Sequence, residues 1–289
     1  MIDSHQHFWQ LARADYGWIT PALAPIHRDF GPDDLAPMLA RHGITQTILV
    51  QAAPTQAETR YLLALAHATS WVGGVVGWVD FDASQAPDAI ATLASDALLV
   101  GLRPMVQDIA DDAWLARPQL APVFDAMTAH GLVLDALVLP RHLRALAVVL
   151  ARHPALAVVL DHAGKPRIRD GGIGQWQSGI ANLAQHGQLT CKLSGLLTEA
   201  PMGAEAAVLA PYVQVLIDRF GPARLMWGSD WPVVELAGGY DRWHAVSMQL
   251  LAGLSSDDRA LVLEGTARRV YLAARGRPGP DVKAAGACR

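Results

Sequence analysis

Two histidines stand one residue apart in the opening segment "MIDSHQHFW". If this segment is a β-strand, side chains two positions apart share a face, so His5 and His7 lie side by side with Asp3 below them. Neutral imidazoles bind divalent metals, donate hydrogen bonds and transfer protons near neutral pH. Burying such a pair is costly unless it binds something, so the spacing predicts a functional site without choosing among these chemistries.

Two later segments carry side chains of the same kinds. "LDHAGKP" contains His162 and Lys165, and "WGSDWP" contains Asp230. A carboxylate can take a proton from water, and imidazoles beside it can hold a metal or polarise a carbonyl group. The candidate catalytic or metal-binding set is His5, His7, His162 and Asp230. Its members can act together only if the fold brings the three segments to one place.

Short apolar segments alternate with segments of helical period along most of the chain. The predicted strands are 2–7, 46–52, 75–81, 100–105, 132–138, 157–164, 189–195 and 224–232. The predicted helices are 33–42, 56–69, 84–97, 114–130, 140–153, 175–187, 203–220, 238–252 and 257–273. This alternation predicts an α/β fold, a (β/α)₈ TIM barrel, whose strands all end around one axis. The candidate residues stand at the ends of strands one, six and eight, so they should meet at the barrel mouth.

The barrel is predicted to form a single domain over residues 1–274, and the Gly-, Pro- and charge-rich segment 275–289 is expected to be a disordered tail. Residues 8–32 form an unusually long connection after the first strand. Connections that follow barrel strands lie on the catalytic face, so we expect this one to act as a lid or a specificity wall.

The composition is that of a globular protein with a large core. Of the 289 residues, 52% are hydrophobic and 17% are charged, and the formal net charge is -4. The basic residues are scattered and no apolar run is long enough for a bilayer, which argues against nucleic-acid and membrane partners. We expect a cytoplasmic protein acting on a small-molecule substrate, and the sequence leaves a homo-oligomer open. The two cysteines, Cys191 and Cys288, make no disulfide framework.

Five motifs, in a fixed order, carry a resemblance to a known family. They are "MIDSHQHFW" at 1–9, "GLRPMVQD" at 101–108, "LDHAGKP" at 160–166, "CKLSGL" at 191–196 and "WGSDWPV" at 227–233. Together they resemble the amidohydrolase superfamily, specifically its lactonase-rich "amidohydrolase 2" group. The resemblance implies a (β/α)₈ hydrolase that attacks a cyclic ester at the barrel mouth, with a sugar lactone as the expected substrate.

The resemblance also implies catalytic roles for the candidate residues. Asp230 is expected to act as general base toward the attacking water and then to return the proton, for which a pKa raised by burial would help. The three histidines, His5, His7 and His162, are expected to polarise the lactone carbonyl, either directly or through a metal.

The expected cofactor is either none or one divalent metal such as zinc. The histidine pair and Asp230 could supply three ligands, with His162 as a fourth ligand or as a contact to the water or carbonyl. Segments 100–105 and 132–138 contain no lysine that could bridge two metals, and the second lacks the histidine common in single-metal members. A dicarboxylate lactonase of the same group works without metal, so both alternatives stay open.

Substrate contacts are expected from polar and aromatic residues near the predicted mouth. These are Lys165, Arg103, Gln51, Trp9 and Trp231, with Trp18 also in the long connection. Aromatic rings beside polar groups suit a sugar, whereas the scarcity of cations argues against a dicarboxylate. The alternative functions are a dicarboxylate lactonase and a metal-dependent decarboxylase of the same superfamily.

Three further residues lie near the predicted mouth. Asp161 is expected to point away from the barrel axis, because it directly precedes the inward His162. Lys192 is either a buried partner of a carboxylate or a site residue. The role of His27, in the long connection, stays open.

Overall fold

The computed structural model describes residues 1–273, so the expected disordered tail, with Cys288, lies outside the described residues. One parallel sheet runs in the order β1 to β8. The strands are β1 Ile2–Gln6, β2 Gln46–Val50, β3 Val72–Gly77, β4 Leu99–Leu102, β5 Val133–Ala136, β6 Val158–Leu160, β7 Leu189–Leu193 and β8 Leu225–Trp227. The α-helices are α1 Pro32–His42, α2 Gln56–Ala68, α3 Ala86–Leu93, α4 Ala121–Ala129, α5 Leu143–Arg152, α6 Ile173–Leu183, α7 Leu196–Glu199, α8 Ala206–Phe220, α9 Tyr240–Leu250 and α10 Ser256–Ala260. The predicted (β/α)₈ barrel is confirmed.

The barrel closes between β1 and the turn after β8. Backbone hydrogen bonds run from His7 N to Trp231 O at 2.7 Å and from Asp230 N to His5 O at 2.8 Å. A glycine at position 228 permits this approach, since a Cβ on Gly228 would lie 2.8 Å from the Cβ of His5. Closure of the barrel therefore sets the histidine pair directly against the residues that follow β8.

The lower part of the barrel is filled by an apolar cluster distinct from the core under the helices. Its members are Ile2, Ile48, Val50, Val76, Val100, Val133, Val159, Met226, Ala267, Tyr271 and Leu272. The last three come from the end of the described chain, where two π-helical segments, Leu261–Gly265 and Arg268–Ala273, follow α10. These segments complete the interior at the end opposite the mouth.

The strands that carry candidate residues are shorter at their carboxyl ends than the sequence predicts. β6 ends at Leu160 and β8 at Trp227, whereas the predicted strands continue to 164 and 232. The residues beyond these points form turns, which is where barrel enzymes place their reactive groups.

None of the helices in residues 1–273 combines the length and apolar character of a membrane span.

The long connection after β1 packs as a wall beside the mouth. Trp9 and Phe30 exchange backbone hydrogen bonds at 3.1 and 3.0 Å, which joins the two ends of the connection. The Trp9 ring packs edge-to-face on Trp18 at 5.6 Å, and the Phe30 ring packs in the same way on Trp231 at 5.2 Å. This aromatic cluster links the connection to the turn after β8.

Removing the hydroxyl of Tyr271 is expected to destabilise the barrel. This buried hydroxyl donates a hydrogen bond to Asp135 Oδ1 at 2.7 Å inside the barrel. Tyr271→Phe leaves that oxygen without its partner, so the free energy of unfolding should fall by about 1–3 kcal/mol in a urea titration.

Tyr212→Phe is the matched control. Tyr212 is 5% exposed in α8, and its hydroxyl has no hydrogen bond within the described residues. Its loss should therefore change the free energy of unfolding far less. Equal losses in the two variants would contradict a specific contribution from the Tyr271 hydrogen bond.

Candidate active site

The end of β1 places His5 and His7 inside the barrel near its mouth. The pairing of β1 with β2 is irregular between Asp3 and Gln6, and the extra residue of this bulge turns both histidines inward. Asp3 faces the helices instead, where it accepts a hydrogen bond from Tyr240 Oη at 3.1 Å. The prediction that Asp3 lies below the histidines is wrong, because simple alternation does not continue through the bulge.

A left-handed turn after β6 brings His162 to the same place. Val159 lies in the barrel interior, and alternation from it carries Asp161 inward as well. Beyond the strand the backbone has φ 50° at His162, which returns its ring to the interior, where Nδ1 lies 2.9 Å from Ser194 Oγ. The prediction that Asp161 points away from the axis is wrong, because the change of backbone conformation lets two successive side chains point inward.

The turn after β8 delivers the fourth candidate, Asp230, also from left-handed backbone with φ 58°. Its Oδ1 lies 3.4 Å from His7 Nε2, 3.8 Å from His5 Nε2 and 3.9 Å from His162 Nε2. Only 4% of the residue is exposed. The fold therefore brings together the four side chains that the sequence placed on three separate segments.

Burial sets the charge state of these groups. It lowers the pKa of His162 to about 4 and also lowers the pKa values of His5 and His7, so the rings are neutral at neutral pH. Burial alone would raise the pKa of Asp230, but the adjacent histidines, His162 foremost, outweigh it and hold that pKa below its usual range. The expected raised pKa is thus wrong in direction. An ionised carboxylate faces three neutral imidazoles.

Arg103, just beyond β4, points into the barrel beside the histidines and is 3% exposed. Its Nη1 lies 3.4 Å from His5 Nε2 and 3.5 Å from Asp161 Oδ2, and its Nη2 donates to Gln51 O. Because a guanidinium can only donate, Arg103 adds positive charge and hydrogen-bond donors at the floor of the site.

A buried ion cluster lies below His5. Lys192, from β7, is fully buried, and its Nζ lies 2.5 Å from Asp135 Oδ2 and 3.0 Å from Asp161 Oδ1. The same ammonium lies 3.1 Å from His5 Nδ1. The alternative that Lys192 is a buried carboxylate partner is confirmed. Sequence reasoning overlooked Asp135. The available signal was a charged residue inside the apolar predicted strand 132–138.

A cavity of 110 Å³ opens above these residues at the mouth. Its lining comprises His7, Trp18, Ala52, Arg103, Met105, Gln107, Leu137, His162, Lys165, Asp230 and Val233. The Lys165 ammonium donates to Gln107 Oε1 at 2.7 Å and lies 3.9 Å from Glu199 Oε1. Of the predicted substrate contacts, Arg103 and Lys165 therefore border the cavity.

The other three predicted substrate contacts lie behind the cavity wall. Trp9 and Trp231 are 0% and 1% exposed, because the aromatic cluster of the long connection encloses them. Gln51 is fully buried, and its side-chain amide donates to Arg103 O at 2.7 Å. These residues support the wall and the arginine but do not line the cavity.

Trp18 is the aromatic residue that borders the cavity. It is 38% exposed, and its indole N–H donates to Ala52 O at 2.8 Å. The sequence placed it in the long connection, but its exposure depends on how the neighbouring Trp9 packs. His27, in the same connection, is exposed and does not belong to the cavity lining.

Three donor atoms at the mouth have the spacing of a tetrahedral metal site. His5 Nε2 and His7 Nε2 are 3.2 Å apart, and Asp230 Oδ1 lies 3.8 and 3.4 Å from them. Ligand bonds to zinc of about 2.0–2.1 Å imply ligand separations of about 3.3 Å. The positions of these atoms therefore fit one divalent ion.

Comparisons with known proteins match most of the chain. A family model described as "Amidohydrolase" matches residues 2–272. An L-fucono-1,5-lactonase of Burkholderia ambifaria is 50% identical over 274 residues, which cover 93% of this chain and 94% of that protein. An L-fucono-1,5-lactonase of Burkholderia multivorans is 39% identical and covers 93% of this chain and 95% of its own.

A solved structure extends the comparison to three dimensions. The crystal structure of an amidohydrolase from Burkholderia multivorans with bound zinc superimposes with a TM-score of 0.88. It is 38% identical and covers 93% of this chain and 98% of its own.

Substitution of Gly195 is expected to displace the His162 ring. Gly195 has φ 66°, and a Cβ there would lie 2.7 Å from His162 Nδ1. Gly195→Ala should lower the free energy of unfolding by more than the roughly 1 kcal/mol that a left-handed alanine costs by itself. Urea unfolding measures the loss, and ¹⁵N NMR of the histidine rings reports the movement.

Gly171→Ala separates the cost of a left-handed alanine from the cost of contact with the His162 ring. Gly171 has φ 69° and no heavy atom within 4 Å of a Cβ, so alanine there meets only the backbone cost. Equal losses in the two variants, with unchanged His162 signals, would show that the ring does not depend on the space at Gly195.

Proposed function

The chain belongs to the amidohydrolase family, and we propose that it is a hydrolase that opens a sugar lactone to the corresponding hydroxy acid. The observation that carries this proposal is the ionised Asp230 facing neutral imidazoles and Arg103 across one small cavity. The relative at 50% identity is named an L-fucono-1,5-lactonase, so L-fucono-1,5-lactone is the first substrate to test.

The reaction needs a base for water, donors for the carbonyl oxygen and a proton for the leaving oxygen. Asp230 removes a proton from water as the water oxygen attacks the lactone carbonyl carbon. The resulting oxyanion is stabilised by N–H groups of the imidazoles and Arg103. The bond from this carbon to the ring oxygen then breaks, Asp230 returns the proton to that oxygen, and the new carboxylic acid loses its own proton to solvent.

The lowered pKa of Asp230 has opposite effects on the two proton transfers of this reaction. A carboxylate of low pKa is a weak base, so the carbonyl must be polarised strongly before water attacks. The same low pKa makes protonated Asp230 a strong acid, which favours return of the proton to the ring oxygen. Polarisation by the buried donors is therefore the demanding part of the mechanism.

A divalent ion such as zinc would be held by His5, His7 and Asp230, whose donor atoms have the required spacing. When bound, it would supply Lewis-acid polarisation of the carbonyl. The steps assigned to this chain's own residues do not depend on that ion, because Arg103 and His162 also present groups to the cavity.

The lining favours a sugar over a dicarboxylate. Among the residues that line the cavity, only Arg103 and Lys165 are cationic. Arg103 is engaged by Asp161 and the Gln51 carbonyl, and Lys165 by Gln107. A dianion would require more free cations, whereas sugar hydroxyls suit Lys165, Gln107 and the ring of Trp18.

Asp230→Asn is expected to lower kcat for L-fucono-1,5-lactone by a factor of roughly 10² to 10⁴, because the amide cannot take the proton from water. KM should change little. Acid release from a panel of aldonolactones, followed with a pH indicator, measures both constants.

Asp170→Asn controls for loss of a carboxylate elsewhere. Asp170 forms an exposed ion pair with Arg167 at 2.7 Å, away from the cavity. Full activity in Asp230→Asn would remove the proposed base. If the wild-type chain hydrolyses no lactone but releases carbon dioxide from an aromatic acid, the decarboxylase alternative replaces the proposal.

A further inference from the structure

A second cavity opens at the mouth, beside the cavity that contains Asp230. Its volume is 480 Å³, more than four times the 110 Å³ of the cavity at Asp230. Trp18 and Met105 line both cavities, so the two adjoin each other. We call the smaller one the catalytic cavity and the larger one the outer pocket. The walls of the outer pocket include Trp18, Trp78, Phe81, Trp114, Asp80 and Asp108.

The catalytic cavity is smaller than a complete sugar lactone requires. Pockets that enclose small ligands usually measure roughly 300–1,000 Å³. The catalytic cavity lies below this range and the outer pocket lies within it. A lactone with its carbonyl at Asp230 therefore extends past Trp18 and Met105 into the outer pocket. Because the outer pocket alone has the volume of a ligand site, it has room for a whole further sugar residue.

Aromatic rings form the apolar walls of the outer pocket, and hydrogen bonds hold several of them in place. Trp78 directly follows β3. Its backbone N–H donates to Thr59 Oγ1 at 2.8 Å, and the same hydroxyl donates to Trp78 O at 3.1 Å. The indole N–H of Trp18 donates to a backbone carbonyl, and that of Trp114 donates to Asp82 Oδ2 at 2.9 Å. Rings fixed in this way lose little freedom when a ligand binds, and their faces suit the C–H groups of a sugar ring.

The charged groups of the outer pocket are all carboxylates. None of the described residues that line it is a lysine or an arginine. Asp15 is paired with Arg13 at 2.7 Å, whereas Asp80 and Asp108 form no ion pair within residues 1–273. A carboxylate only accepts hydrogen bonds, so it suits the donating hydroxyls of a sugar and repels a second carboxylate.

The charge of the outer pocket is opposite to that of the donors in the catalytic cavity. Arg103 and Lys165 line the catalytic cavity and do not line the outer pocket. A substrate with an anionic substituent would therefore meet like charge as soon as it extended beyond Trp18. An ammonium group also binds to aromatic rings and carboxylates, but it is compact and fills only a small part of 480 Å³. A neutral sugar residue matches the volume, the rings and the acceptors together.

We propose that the outer pocket binds a neutral sugar residue attached to the lactone and rejects a residue that bears a carboxylate. The preferred substrate class is then a glycosylated aldonolactone, with its carbonyl at Asp230 and its glycosyl group against Trp78. This inference rests on the proposed lactonase function for the reaction, whereas binding of the sugar residue depends on the outer pocket alone.

The first test measures binding without a lactone. Saturation-transfer NMR should detect methyl β-D-galactopyranoside on the wild-type chain, and Trp78→Ala should weaken its binding by about 10-fold. Trp71→Ala is the matched control, because Trp71 is also a half-buried tryptophan next to β3 but lines neither cavity. It should keep the wild-type affinity, and circular dichroism checks that both variants are folded. A wild-type chain that does not bind the glycoside, or equal losses in the two variants, overturns the proposal.

The second test measures discrimination by charge. Methyl β-D-galactosiduronate has a carboxylate in place of the hydroxymethyl group, and at low ionic strength it should bind about 5-fold more weakly than the neutral glycoside. Asp80→Asn/Asp108→Asn removes the two unpaired charges and should reduce this difference to about twofold or less. Asp125→Asn/Asp170→Asn removes two exposed carboxylates outside both cavities and should leave the difference unchanged.

Two results of the second test contradict the proposal. The first is a uronate that binds the wild-type chain as tightly as the neutral glycoside. The second is a cationic aminosugar glycoside that binds where the neutral glycoside does not, since the outer pocket would then be a site for an ammonium group.

The third test uses hydrolysis. D-glucono-1,5-lactone that carries a β-D-galactosyl group on O4 or on O6 should be hydrolysed with a kcat/KM about 10-fold above that of the bare lactone for at least one linkage. Trp78→Ala should lower kcat/KM for that glycosylated lactone about 10-fold more than for the bare lactone, mainly through KM. Trp71→Ala should change both values alike.

The outcomes separate this inference from the proposed function. Hydrolysis of bare lactones without a gain from either glycosyl group retains the lactonase and overturns the inference. Binding of the neutral glycoside at Trp78 in a chain that hydrolyses no lactone supports the sugar-binding pocket and rejects the proposed function instead.

Discussion

The buried ammonium of Lys192 is the constraint on which the upper half of the barrel depends. An unpaired charge at this depth would be very costly, so its two carboxylates on neighbouring strands must be present together. Asp135 on β5 and Asp161 after β6 both pair with it. The ammonium also contacts His5, which links this level to the mouth.

Above that level lies the small cavity, in which the carboxylate of Asp230 is ionised. Neutral imidazoles surround Asp230 because burial disfavours their protonated forms. Desolvation strengthens every hydrogen bond there, and a fixed donor acts on a developing oxyanion without first having to reorient. The same burial makes the position of each imidazole proton matter, since a neutral ring has one donor and one acceptor.

The fold itself was predictable to a large extent, because alternating apolar segments and helical periods are local properties of the chain. Errors occurred where the backbone leaves regular alternation. The bulge in β1 turned Asp3 outward, and the left-handed turn after β6 allowed Asp161 and His162 to point the same way. Both departures lie at the mouth, where the chain must aim several side chains at one cavity.

The sequence by itself determined which kinds of side chain reach the mouth and in what order along the chain, since motif order and strand ends are properties of its linear pattern. Only the tertiary structure decided which of them line the cavity. Trp18 is exposed there while Trp9 and Trp231 are enclosed, because packing of the long connection sets their exposure. Only the tertiary structure, too, set Lys192 against His5, 187 positions away in the sequence, because strands β1 and β7 meet only in the closed barrel.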